Sequence, residues 1–334
     1  MMQALVLTDV ATMPQQTVAK PTIGVDEVLI QTQYAGICGT DHALYQGLPG
    51  SAKAQPPIIL GHENSGIVTA IGDTVTNVKV GQRVTVDPNI YCGQCEYCRT
   101  GRPELCDQLA AVGVTRNGGL AEYFSAPASV VYHLPDTVSL EAGATVEPLS
   151  CAVHGLELLH LRPYQKALVI GDGFMGQLFV QLLQAYGVQA VTLAGIVDEK
   201  LALNQQRFHV DQVINTTKAS IPSIYDVVIE AVGRPETQAQ AVQAARKGGQ
   251  VLMFGVGQPD AHFAMNTYDI FQKQLTIQGS FINPHAFDTA IALLASGKVD
   301  VLPLISHVLR LDQVAAVLDG QITGISKAVV KLGN

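Results

Sequence analysis

Two hydrophobic patterns divide the chain. As far as about residue 150, apolar residues come in short β-branched runs such as VLIQTQYAG (28–36), SGIVTAIG (65–72) and GQRVTVDP (81–88), broken by Gly, Pro, Asn and Asp. Runs of this kind between turn formers predict a β-rich domain. No amphipathic helical repeat longer than about two turns precedes Glu141. From about Leu149 the pattern changes. ALVIGDGFMG (167–176) reads as an apolar strand, a glycine turn and a helix start, and QLFVQLLQAYG (177–187) continues as helix to a Gly stop. AVTLAGI (190–196), YDVVIEAVG (225–233), QVLMFGVG (250–257) and LTIQGSF (275–281) follow as apolar strands. Between them ETQAQAVQAARKGG (236–249) reads as helix, and a helix–strand–helix pattern closes the chain. Nearly all-apolar strands alternating with helices predict a parallel sheet covered on both faces. The fold class is therefore α/β, with residues 1–150 as a β-rich domain and 151–282 as a doubly wound parallel-sheet domain.

Composition narrows the function. A length of 334 residues suits two domains, and 48% hydrophobic with 14% charged residues argues against disorder. The net charge of −8 leaves no basic stripe for nucleic acid. No apolar run approaches the ~20 residues of a membrane span. The opening MMQALVLTDVATMPQQ lacks a basic region followed by a long apolar one, so no secretory signal is expected and the expected location is cytoplasmic.

Four of the six cysteines, Cys92, Cys95, Cys98 and Cys106, form C-x2-C-x2-C-x7-C. Four thiolates suit tetrahedral Zn2+, and a shell of four cysteines leaves no open position, so the lobe 88–108 reads as a structural zinc site. Redox-active or merely buried thiols are the weaker reading. Gly171, Gly173 and Gly176 form G-x-G-x-x-G after an apolar strand and before a helix, the context in which it cradles a dinucleotide pyrophosphate. Phe174 and Met175 complete that loop. The acid that grips the adenosine ribose stands at the end of the next strand, ~20 residues on. Here that place is Gly195, and Ile196 and Val197 offer no phosphate anchor either. Either NAD or NADP remains open, with strong NAD selectivity not expected and Gly195→Asp expected to favour NAD.

Two further motifs sit in the β-rich half: GICGTDHALYQG (36–47) and GHENSG (61–66). Each alone is modest, since a lone Cys or His is more often a packed residue than a ligand. Together with VGQRV (80–84), GGLAEY (118–123), EPLSCAVHG (147–155), GDGFMG and GSFINP (279–284), they make the chain resemble zinc-dependent medium-chain dehydrogenases/reductases of the sorbitol and arabinitol type over nearly its whole length. The resemblance implies a GroES-like catalytic domain, a Rossmann domain and a C-terminal return (283–334) to the catalytic domain. It implies a catalytic zinc on Cys38, His62 and Glu147, with Glu63 entering the shell transiently. It gives Thr40 the hydrogen bond to the substrate oxygen and makes Tyr45 an active-site tyrosine. Cys151, one helical turn after Glu147, is a rival third ligand. The implied reaction is hydride transfer between a secondary hydroxyl of a small polyol, giving the ketose, and NAD or NADP, with two zinc ions per chain. Oxidation of threonine, a sugar phosphate or a hexonate is the alternative. A non-catalytic dinucleotide-binding protein and a zinc-module adaptor are the readings from other classes, and intact Cys38, Thr40, His62, Glu63 and Glu147 speak against both. A homo-oligomer, dimer or tetramer, is implied as well. Three departures stand out: Ala43 where the family often has His, Ile282 in the segment where sorbitol enzymes carry Arg, and Gly195.

Overall fold

The computed structural model describes residues 1–333 and falls into two compact units. The first contains residues 1–150, 284–296 and 301 onward; the second contains 151–283 and 297–300.

In the first unit a seven-stranded sheet is built around strand Glu27–Ile37. That strand pairs antiparallel with Glu63–Ile71, Tyr123–Pro127 and Lys327–Lys331. The pairing sets Gly36 opposite Glu63 and Ile37 opposite Ala328, which draws three distant segments to one point. Alternate residues Val28 and Ile30 point into a core with Val68, Val84, Val86 and Phe124, as the two-residue period of a strand requires. A second core packs strand Met2–Leu7 against Leu44, Tyr45, Ile58–Leu60, Val314 and Leu318.

The second unit carries a six-stranded parallel sheet in the order Gln212–Asn215, Ala190–Gly195, Lys166–Ile170, Tyr225–Glu230, Ala245–Met253, Thr276–Gly279. The chain thus starts in mid-sheet, works out to one edge, then returns to build the other half. This 3-2-1-4-5-6 order leaves a crevice at the carboxyl ends where the winding reverses, the usual dinucleotide position. Leu168, Val169, Val228, Ile229 and Val251 are wholly buried, as strands covered on both faces must be.

One expected element is shorter than its sequence pattern. The helix read over 236–249 ends at Ala244, and Ala245–Met253 is strand. ARKGG has no apolar face to hold it helical, and Gly248 takes a left-handed φ of 73°. The strand accommodates the extra residues by a register shift opposite Tyr225–Val227.

Candidate active site

Helix Gly39–Tyr45 begins just after strand Glu27–Ile37, and Cys38 is its N-cap. Asp41, fully buried at the third helical position, accepts a hydrogen bond from the Cys38 backbone N–H at 2.9 Å. Its other oxygen faces His62 Nδ1 at 3.4 Å. His62 and Glu63 stand at the entry of the neighbouring strand Glu63–Ile71. The ligating atoms of Cys38, His62 and Glu63 all lie within 4.8 Å of one another. With Nδ1 turned to Asp41, Nε2 is the ring nitrogen left to bind a metal. A carboxylate behind a ligating imidazole fixes its tautomer and orientation. Burial works to lower the His62 pKa, but the Asp41 carboxylate and the Cys38 thiol outweigh it and hold His62 well above its ordinary value.

Glu63 has a partner that the motif does not announce. Lys327, 4% exposed, forms an ion pair with Glu63 Oε2 and donates to the Ile37 carbonyl at 3.1 Å. Burial works against the Lys327 charge, yet Glu63, Cys38 and Glu147 together keep its pKa raised. Lys327 therefore lies among the acidic groups of the candidate zinc site. A single Lys heading the apolar run KAVV was the only sequence signal for it.

Glu147 occupies the first turn of helix Val146–Glu157 and is 8% exposed. It is not a member of the 4.8 Å group formed by Cys38, His62 and Glu63. Pro148 is the third helical residue, a position where an amide N–H is not required. Cys151 follows one turn later in the same helix. Thr40, two residues after Cys38, is half-buried, and an added Cβ on Gly50 would come within 2.5 Å of its methyl, so the 47–52 loop folds closely over it.

Tyr45 is placed differently from an open active-site tyrosine. Its hydroxyl lies 2.8 Å from Asp319 Oδ1 and 2.9 Å from the Ala11 carbonyl, and the residue is 5% exposed in the second core. Both neighbours are acceptors in their ordinary state, so the single phenolic proton is already committed. His42 is exposed beside Gln46, at 3.0 Å.

The four lobe cysteines also bring their sulfurs within 4.8 Å of one another. Backbone N–H groups of Gln94 and Cys95 point at Cys92 Sγ at 3.4 and 3.3 Å. These bonds draw the Cys92 pKa down to about 6, favouring the thiolate that metal binding needs. Four convergent sulfurs with two amides aimed at one of them fit a closed Zn2+ shell.

In the second unit Gly171 takes φ 127° and donates its N–H to the Ala194 carbonyl. Gly173 caps helix Phe174–Ala185. Phe174 is buried and Met175 half-buried in its first turn. An added Cβ on Gly176 would overlap the Gly171 carbonyl, whereas one on Gly173 would meet nothing within 4 Å. The third glycine thus permits close packing and the second leaves open space in front of the helix N-terminus, which fits a pyrophosphate. Gly195 does end its strand, but the space beside it is taken. A Cβ there would lie 2.6 Å from Asp172 Cβ and Cγ, and closer still to Oδ2. An acid introduced at 195 has no room while Asp172 stays where it is. Ile282 has a left-handed φ of 47°, a strained conformation for a β-branched residue.

This architecture has relatives. Residues 24–136 match the alcohol dehydrogenase GroES-like domain and residues 175–296 match the zinc-binding dehydrogenase domain. The chain is 35% identical to D-arabinitol dehydrogenase 1 of Uromyces fabae over 310 residues, 90% of this chain and 88% of that one. It belongs to the zinc-binding alcohol dehydrogenase family. Among solved structures the dehydrogenase is similar to a zinc-binding dehydrogenase from Sinorhizobium meliloti bound to NADP, with a TM-score of 0.94, 33% identity and 99% coverage of both chains. An alcohol dehydrogenase from Escherichia coli CFT073 complexed with NADH matches with a TM-score of 0.89, 27% identity and 99% coverage of both. The dehydrogenase is thus a zinc- and NAD(P)-dependent oxidoreductase with a GroES-like and a Rossmann domain.

Proposed function

We propose that this enzyme interconverts a small neutral polyol, a pentitol or hexitol, and the corresponding ketose. The carrying observation is the convergence of Cys38, His62 and Glu63, with Asp41 behind the histidine and Thr40 two residues from the cysteine. The 35% identity to a D-arabinitol dehydrogenase supports the polyol class. When bound, zinc supplies Lewis-acid activation of the substrate hydroxyl and the nicotinamide dinucleotide accepts the hydride.

The chain's own residues do the rest. Cys38 and His62 hold the metal, and Asp41 fixes the His62 ring. Glu147, in the first turn of helix Val146–Glu157, serves as the third ligand, and Glu63, paired with Lys327, as a transient one. Thr40 Oγ1 accepts a hydrogen bond from the substrate hydroxyl. Ala43 leaves the usual relay position without a proton carrier, and the exposed His42, two residues after Thr40, faces another side of helix Gly39–Tyr45. Cys92, Cys95, Cys98 and Cys106 hold the structural zinc. Gly171, Gly173, Phe174, Met175 and Gly176 receive the pyrophosphate of the cofactor. Tyr45 braces helix Gly39–Tyr45 through Asp319 rather than contacting substrate.

The enzyme acts as a homo-oligomer in the cytoplasm. Strand Thr276–Gly279 closes one edge of the six-stranded sheet, and Tyr268 and Phe271, on helix Thr267–Lys273 just before it in the chain, are 63% and 78% exposed, which supports self-association. Among the described residues no helix is long and apolar enough to cross a membrane. Kinetics with arabinitol, xylitol, sorbitol, galactitol, threonine and a primary alcohol test the substrate class. The highest kcat/KM is expected for a pentitol or hexitol; a maximum on threonine or the primary alcohol overturns the polyol assignment.

A further inference from the structure

We infer that Asp172 stands in for the missing strand-end acid, binding the adenosine ribose of NAD and excluding the 2′-phosphate of NADP. The inference rests on the proposed dehydrogenase reading and concerns which cofactor that site takes. The fold does not decide the matter, since one similar structure is bound to NADP and another is complexed with NADH. The residues at the end of strand Ala190–Gly195 do.

Asp172 belongs to the glycine turn after strand Lys166–Ile170, yet its side chain reaches across to the neighbouring strand end. Oδ2 accepts hydrogen bonds from the backbone N–H groups of Ile196 and Val197, both at 3.0 Å. Its Cβ and Cγ fill the volume that a side chain on residue 195 would enter. Gly195 and Asp172 are therefore one device: the strand end gave up its side chain, and the carboxylate arrives from the adjacent turn. Oδ1 accepts no hydrogen bond from any described residue, and Asp172 is half-buried, so this oxygen is available to a ribose hydroxyl.

The same groups count against a phosphate. A phosphate monoester at this point needs N–H donors or cations. The two N–H donors nearest the strand end are spent on Asp172. Lys218 is paired with Asp198, which also accepts from Asn215 Nδ2 at 2.7 Å. A 2′-phosphate would meet two carboxylates, and the two amides and Lys218 beside them are already committed. Strong NAD selectivity, not expected from Gly195 alone, follows once Asp172 is included.

The test is direct cofactor binding to the zinc-loaded enzyme without substrate, read from nicotinamide fluorescence with NADH and with NADPH. The wild type is expected to bind NADH at least tenfold more tightly than NADPH. Asp172→Asn preserves shape and can still accept both N–H bonds while removing the charge. It should tighten NADPH binding at least fivefold and shrink the ratio accordingly. Asp172→Ala, which also frees the two amides, should shrink it further; its thermal transition reports whether it folds, and the asparagine variant decides the matter if it does not. Equal affinity of the wild type for both cofactors, a preference for NADPH, or an Asn variant that shifts both affinities by the same factor overturns the inference. Failure of the wild type to bind either cofactor would instead remove the dehydrogenase reading on which it rests.

Discussion

Replacing Lys327 by Met should expose how the catalytic cluster balances its charge. Lys327 and Glu63 are 4% and 0% exposed, so neither reaches bulk water. Removing the ammonium strands the Glu63 carboxylate in a protein interior beside Cys38 and Glu147, and leaves the Ile37 carbonyl without that donor. Removing one partner of a buried ion pair costs about 3–5 kcal/mol. For a folding unit of this size each kcal/mol moves the midpoint by about 2–4 °C, so Lys327→Met should lower it by roughly 6–20 °C. Scanning calorimetry on zinc-loaded protein measures the shift. The double variant with Glu63→Gln should recover about half of it, because a neutral buried amide costs only about 1–3 kcal/mol when unpaired. Chelating the metal should enlarge the effect of Lys327→Met, since zinc is then no longer there to offset the acidic groups. A single variant within about 1 kcal/mol of wild type, or a double variant no more stable than the single, would show that the pair does not hold this site together.

Three other outcomes can be checked. Cys95→Ser should remove about one zinc per chain by elemental analysis and lower thermal stability, because metal binding in such a lobe is coupled to its folding. Glu147→Ala should deplete the catalytic zinc and reduce turnover by about two orders of magnitude or more, while Cys151→Ala should change both little; the opposite pattern gives the ligand role to Cys151. Burial pushes the Asp87 carboxyl up to about 7, against the lowering effect of its hydrogen bonds with Asn89. The unfolded chain therefore loses that proton near pH 4 and the folded chain only near pH 7. Stability should fall as pH rises between those values, by up to roughly 4 kcal/mol, and level off above. Asp87→Asn should flatten this fall in urea unfolding at pH 5 and pH 8, and an unchanged slope removes Asp87 as its source.

How much of this was readable from residues alone depends on whether the chemistry is local in the chain. The cysteine lobe and the glycine turn were legible because a metal shell or a phosphate cradle built from one loop must show its spacing in that loop. Strands such as Lys166–Ile170 and Ala190–Gly195 were legible because burial on both faces demands an unbroken apolar run. The end of the helix before ARKGG was not, because the strand shows only in the pairing of Ala245 with Tyr225 and of Gln250 onward with Val227–Glu230.

The residues whose roles the sequence left unread share one cause: each has its partner in a segment far along the chain. Tyr45 is committed by Asp319, which the approach of helix Val314–Leu318 to helix Gly39–Tyr45 supplies. Lys327 acquires its meaning because antiparallel pairing sets Ala328 opposite Ile37, one residue from Cys38 and from the Gly36–Glu63 pair. Gly195 reads as the loss of an acid until Asp172, in the turn of the adjacent strand, is seen filling its space. In each case the charge state and free valences around a motif residue are set by a neighbour outside the motif. A single buried carboxylate cannot stay charged without such a neighbour. Every acid in a catalytic motif therefore poses the question of which distant cation or amide answers it. Here Glu63 is answered by Lys327, Asp41 by His62 and the Cys38 amide, and Asp172 by Ile196 and Val197.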